Sequence, residues 1–194
     1  MKKSMVKSGK KNVIKKACLI ALILSFSMCK NENEKQYYST GEVEQECEKT
    51  SENKYTCTQF YKTGEISAKN EIVNGIPEGY YTGYTKTGNV EFRTSNREGK
   101  VNGKYISYFP NSGKIKMIIN SIAGEKEGFY CTFYETGAVM YHGNYVHSMK
   151  EGKEYTFYSN QILKEIKTFE KDTLKYSQCF DSTGVFYEIR KHKF

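Results

Sequence analysis

The chain has no tryptophan, only two prolines (Pro77 and Pro110), and no C-x-x-C pair among its six cysteines. Without C-x-x-C, and with His142 and His147 five residues apart and so on opposite faces of a strand, no metal site is expected. No G-x-S-x-G, phosphate-cradling glycine loop or H-E-x-x-H occurs, and the carboxylates read as solvated charge on polar strand faces. The chain is therefore expected not to be an enzyme, to have no catalytic residues and to need no cofactor. No stretch shows a helical period. After Lys30 the apolar runs are short, Met117-Ile118-Ile119 being typical, so nothing beyond that point spans a bilayer as a helix.

A basic body is also missing. The formal charge is +8, but Lys2, Lys3, Lys7, Lys10, Lys11, Lys15 and Lys16 all lie in the first 16 residues, with no acid among them. Without those seven, 23 basic side chains face 22 acidic ones. No retained patch could track phosphates, so nucleic-acid binding is excluded. A near-neutral body without tryptophan argues equally against membrane-surface binding.

What is present begins with an address. After the lysines comes an uncharged run of twelve residues, Ala17 to Met28, too short to span a bilayer and built like the apolar core of a signal peptide. Cys29 follows Phe26-Ser27-Met28 at once. That arrangement resembles a bacterial lipoprotein signal, which implies lipid attachment at Cys29 and a cell-envelope location; Met28 stands where the usual pattern has Gly or Ala. An uncleaved signal anchor, or a plain secretion signal with Cys29 incidental, is the other reading. The expected division is a signal peptide over 1–28 as a short N-terminal helix, a tether over 29–36, and a repeat domain over 37–194.

In that domain one pattern returns seven times: an aromatic residue, a glycine four positions on, and an apolar residue two further. The turn glycines are Gly41, Gly64, Gly88, Gly113, Gly137 and Gly184, with Gln161 in the sixth place, at spacings of 23, 24, 25, 24, 24 and 23 residues. A fixed period of this size means stacked copies of one small unit. The aromatic position holds Tyr37, Phe60, Tyr84, Phe109, Phe133, Phe157 and Phe180, and Thr, Ser or Asn precedes each turn glycine or its replacement. Such residues around a Thr-Gly turn favour a β-hairpin, the glycine supplying the positive φ of a type I turn closed by a G1 bulge. Gln161 departs from this, and its turn is expected to be the least well formed. A second set, Gly79, Gly103, Gly128 and Gly152, reads as loops or tight turns linking successive hairpins.

The form G-x-x-x-G-x-Y-x-x-x-Y-x-x-T-G-x-I, clearest in 79–90, 103–115 and 128–139, resembles the bacterial variant of the MORN repeat. The resemblance covers residues 37–194 and implies an all-β fold, one elongated antiparallel meander of about seven stacked hairpins of 23–25 residues. Many bacterial chains with this repeat are similar to the YwqK family of antitoxins, which implies a protein partner, a toxin being one such partner.

Strand alternation makes the aromatic column the expected stacked core. The next position along varies (Tyr38, Tyr61, Thr85, Pro110, Tyr134, Tyr158, Asp181), and Tyr61, Tyr134 and Tyr158 form the candidate binding face, a second packing layer being the alternative. Cys47 and Cys57 lie about equally far from a loop near residues 51–53, which predicts one disulfide between them. Cys131 and Cys179, two repeats apart, are expected to remain thiols. The expected function is that of an exported, lipid-anchored protein-binding module, antitoxin-like, with a structural or adhesive envelope component as the alternative.

Overall fold

The computed structural model describes residues 33–191; the expected signal peptide and Cys29 lie outside them. Sixteen antiparallel strands form one open meandering sheet, with no helix among the described residues. In chain order they are β1 (Asn33–Tyr37), β2 (Val43–Ser51), β3 (Lys54–Phe60), β4 (Ile66–Val73), β5 (Ile76–Tyr84), β6 (Val90–Arg97), β7 (Lys100–Val101) and β8 (Gly103–Tyr108). The rest are β9 (Ile115–Ile122), β10 (Glu125–Phe133), β11 (Val139–Val146), β12 (Met149–Lys150), β13 (Gly152–Phe157), β14 (Leu163–Glu170), β15 (Thr173–Phe180) and β16 (Phe186–Lys191). β1 begins at Asn33, so the last four residues of the expected tether already belong to the sheet.

Along one rim, which we call the near rim, each hairpin closes with the same pair of backbone bonds. In β3–β4 the Tyr61 amide donates to the Glu65 carbonyl and the Gly64 amide to the Tyr61 carbonyl, both at 2.8 Å. Gly64 takes φ of +96°, which an L side chain resists. Gln161 closes its turn with the same two bonds, at 2.8 and 2.9 Å, and adopts φ of +68°. The expectation of a poorly formed turn there is corrected.

The β8–β9 turn carries one more residue than the others. Phe109 donates to Lys114 and accepts from Gly113, a span one longer than at Tyr61, while Tyr108 pairs with Ile115 as Phe133 pairs with Val139. The extra residue explains the 25-residue spacing. It also moves Tyr108 into the aromatic column and Phe109 into the variable one, correcting the sequence alignment of that unit.

The opposite, far rim turns tightly at Asn74-Gly75, Glu98-Gly99, Ala123-Gly124, His147-Ser148 and Lys171-Asp172, all at positive φ. The second glycine set is therefore not in the turns. Gly79 and Gly128 lie inside β5 and β10, where the register shifts: Asn70 pairs with Tyr81 but Glu71 with Glu78, leaving two residues unopposed. Gly103 and Gly152 open β8 and β13 at the same kind of bulge.

With no second layer among the described residues, burial arises where side chains of one face close over each other. Cys47, Cys57, Asn70, Thr94, Tyr130, Glu154 and Ser177 all fall on one side by strand alternation, and all are buried. The aromatic column lies on the other side, half-buried, with Tyr37 exposed. The core expected along that column is thus on the opposite face. Small residues are why: Gly83 and Gly143 leave room for rings to lie flat across the neighbouring strand, which the bulky column does not.

Candidate functional site

The near rim is stitched by tyrosines. The hydroxyls of Tyr38, Tyr61, Tyr134 and Tyr158 donate to the carbonyls of Phe60, Tyr84, Phe157 and Phe180 at 2.7, 2.7, 2.8 and 3.0 Å, each reaching the aromatic-column residue of the next hairpin. Lys62, Lys86 and Lys164 hold their ammonium groups over the rings of Tyr38, Tyr61 and Tyr158, at 5.3, 5.7 and 5.3 Å from the centroids. Such a contact is worth about 0.5–1 kcal/mol at an exposed site. The structure thus places Tyr61, Tyr134 and Tyr158 on one rim, half-buried, with their hydroxyls committed to the backbone. Gln161 adds a bridge of its own: its amide oxygen accepts from the Val139 N–H at 3.1 Å and its amide nitrogen donates to the Val139 carbonyl at 2.9 Å.

The far rim is stitched by the residue before each bulge glycine. Glu78, Glu127 and Glu151 accept from the backbone amides of Glu98, His147 and Lys171 at 2.8 Å, and Asn102 accepts from that of Ala123 at 3.2 Å. The bulge displaces this residue so that its oxygen reaches the next turn, satisfying a donor that the tight turn leaves free. Sequence reasoning missed this; the signal was Glu or Asn immediately before each glycine of the second set.

The buried face holds two clusters. Phe92 stacks between Tyr81 and Tyr105, with centroids 5.6 and 5.5 Å apart, and its ring lies across Gly83. Further along, Tyr130 lies across Gly143 and donates to Glu154 Oε2 at 2.5 Å. Lys150 Nζ binds the same oxygen at 2.5 Å, and Lys167 Nζ stands 3.7 Å from the other. Glu154, only 5% exposed, occupies the place that Tyr81, Tyr105 and Tyr130 hold in the earlier hairpins. Burial pushes its carboxyl up, but hydrogen bonds from Lys150 and Tyr130 and the charges of Lys150 and Lys167 outweigh that and hold it below the usual range. Burial, with the adjacent carboxylate, pushes the Tyr130 phenol far above its ordinary value. This is a locked structural network: its titrating groups are closed off and already paired.

The open face is chemically divided. Cross-strand pairing runs one continuous row through Thr58, Lys69, Thr82 and Arg93, then through Ile106, Ile118, Cys131, His142, Tyr155 and Ile166. The first half is polar and charged, the second aliphatic and aromatic. His142 stacks on Tyr155 and Phe157 at 5.2 and 5.8 Å and tilts against Phe129 at 5.5 Å. In the adjoining row Phe129 and Tyr176 stand 50% and 40% exposed. At the boundary, Arg93, Val90, Tyr108 and Asn111 line a shallow cleft.

Cys47 and Cys57 pair across β2 and β3 in a disulfide, at the start of this sheet. Cys131 and Cys179 are buried free thiols on opposite faces, four strands apart in the order of the sheet, and burial pushes the Cys131 thiol up. Among the described residues no three His, Cys, Asp or Glu side chains converge as metal ligands. Compared with protein-family models and with the curated proteins, the chain matches none.

Proposed function

We propose that the chain is an exported, lipid-anchored array of seven MORN-type hairpin repeats that binds another protein across its open face. The observation that carries this reading is the division of that face. A one-layer sheet gains nothing in its own packing from a half-exposed strip of Phe129, Tyr155, Ile166 and Tyr176. Aromatic residues set beside aliphatics in one row, with Lys69 and Arg93 at its other end and Lys153 among the exposed rings, is the mixed composition of a protein interface. Neither rim needs to move for a partner to dock, because both are fixed by repeated bonds between hairpins. In this reading Tyr61, Tyr134 and Tyr158 contribute ring surface at the border of the contact while their hydroxyls keep the rim rigid.

The resemblance to the YwqK antitoxins directs the reading toward neutralisation of a partner toxin at the envelope. The second reading is a structural or adhesive envelope component, favoured by the edges of β1 and β16, which no strand covers among the described residues.

The test is cross-linked capture of the tagged full chain from its own cells, beside a Phe129→Ala/Tyr176→Ala variant and a Tyr61/Tyr134/Tyr158→Phe variant. One dominant protein partner, lost in the first variant and kept in the second, is the expected result. No partner, or one retained after loss of Phe129 and Tyr176, sinks the open-face reading.

A further inference from the structure

Among the described residues, no strand pairs with the outer side of β1 or of β16. Unpaired strand edges of this kind are templates for another chain. The two edges differ in charge. Residues 33–51 carry Glu34, Glu42, Glu44, Glu46 and Glu48 against Lys35 and Lys49, while β16 carries Arg190 and Lys191 against Glu188. Both edges also leave aromatic surface open, Tyr37 on β1 and Tyr187 on β16 each being 57% exposed.

The hairpins supply a register for bringing these edges together. In β1–β2, Gln36 pairs with Gln45 and Glu34 with Cys47; in β15–β16, Cys179 pairs with Glu188 and Ser177 with Arg190. Arg190 therefore takes the place of Cys47, and by the same matching Glu34 takes the place of Cys57 in β3. Since Cys47 pairs with Cys57, extending the sheet by its own rule sets Arg190 opposite Glu34 and Tyr187 opposite Tyr37. Glu34 is half-buried and one of its carboxylate oxygens has no hydrogen-bond partner within its own chain, so a turn of the side chain toward the open edge offers that oxygen to a donor from a second copy. The Arg190 guanidinium engages Glu188 through Nε alone, at 2.8 Å, which leaves its terminal nitrogens for a second carboxylate.

We propose that β16 of one copy pairs antiparallel with β1 of a second copy, so that the sheet continues head to tail from molecule to molecule. The contact joins two different surfaces, so it does not close on itself as a two-fold dimer does; it grows into an open chain. The proposal is independent of which partner the open face takes.

Two measurements test it on the full chain in detergent micelles. A Glu34→Cys/Arg190→Cys double variant places thiols where Cys47 and Cys57 sit within one molecule. Mild oxidation is expected to give a reducible ladder of dimers, trimers and larger species on a non-reducing gel, absent from each single variant and from the wild type. Only monomer from the double variant, or a dimer formed by either single variant alone, overturns the head-to-tail pairing. Sedimentation supplies the check that does not rest on cysteines. Glu34→Arg and Arg190→Glu are each expected to weaken association by at least about tenfold, and the two together to restore it. Failure of the exchanged pair to restore association overturns the register.

Discussion

Replacing Glu154 by Gln removes the one charge at the centre of the β10–β14 network while keeping its shape. The carboxylate accepts from Tyr130 and Lys150 and faces Lys167, so the variant keeps an acceptor for the phenol, strands the Lys150 ammonium without its counter-ion and leaves Lys167 only its pair with Glu165 at 3.3 Å. Breaking a fully buried ion pair costs about 3–5 kcal/mol. Lys150 and Lys167 are each 29% exposed and can regain part of their hydration, which places the expected loss nearer about 2 kcal/mol. The pH dependence follows from the direction of the shift. A carboxyl held below its unfolded value stabilises the fold above that value and stops doing so as pH falls through the folded one. The assay is urea unfolding at a series of pH values, with amide exchange reporting on β10, β11 and β13. The variant should be weaker by about 2 kcal/mol at pH 7, with the gap closing below about pH 4 as the wild-type carboxyl takes its proton. A gap under about 0.5 kcal/mol at pH 7, or one unchanged at pH 3, refutes the reasoning.

Three further predictions concern the stitching of the sheet. Gln161→Ala loses both bonds to Val139 yet keeps the positive φ, so it should destabilise by about 1–2 kcal/mol in thermal melts, whereas Gln161→Gly regains about 1 kcal/mol by relieving the backbone. Equal effects of the two would show that the positive φ costs nothing, and a neutral Gln161→Ala would show that the amide bridge contributes nothing. Gly143→Ala places a Cβ 2.7 Å from the Tyr130 hydroxyl oxygen, and Gly83→Ala one 2.2 Å from a Phe92 ring carbon; each should cost about 1–3 kcal/mol and weaken exchange protection of its own pair of strands first. Reducing Cys47–Cys57, which closes a ten-residue separation, should lower stability by about 2–3 kcal/mol, while thiol reagents leave Cys131 and Cys179 unlabelled in the folded protein.

The period of the turn glycines made the strand-turn-strand units readable, because a glycine at positive φ is a local demand that shows in the sequence. The side on which the sheet buries its residues was not readable that way. Phe60, Phe133 and Phe157 look like core by residue type, yet burial follows Gly83 and Gly143, whose value lies in the ring each admits from the next strand. The single-residue insertion near Pro110 hid Tyr108 because Phe109 satisfied the same pattern one place along. Gln161 looked like a failed turn because its side-chain partner, Val139, lies 22 residues away. Tyr61, Tyr134 and Tyr158 stood out as a column, but the carbonyls that hold them belong to the next hairpin and show only in three dimensions.

The central claim is that the open face, and not the buried one, meets a protein partner. A photo-reactive phenylalanine analogue placed at Phe129, on the open face, and in a separate variant at Met117, on the buried face, tests it in living cells. The account predicts cross-linking to one protein partner from position 129 and none from position 117. Equal yields from both, or partner capture only from position 117, would contradict it.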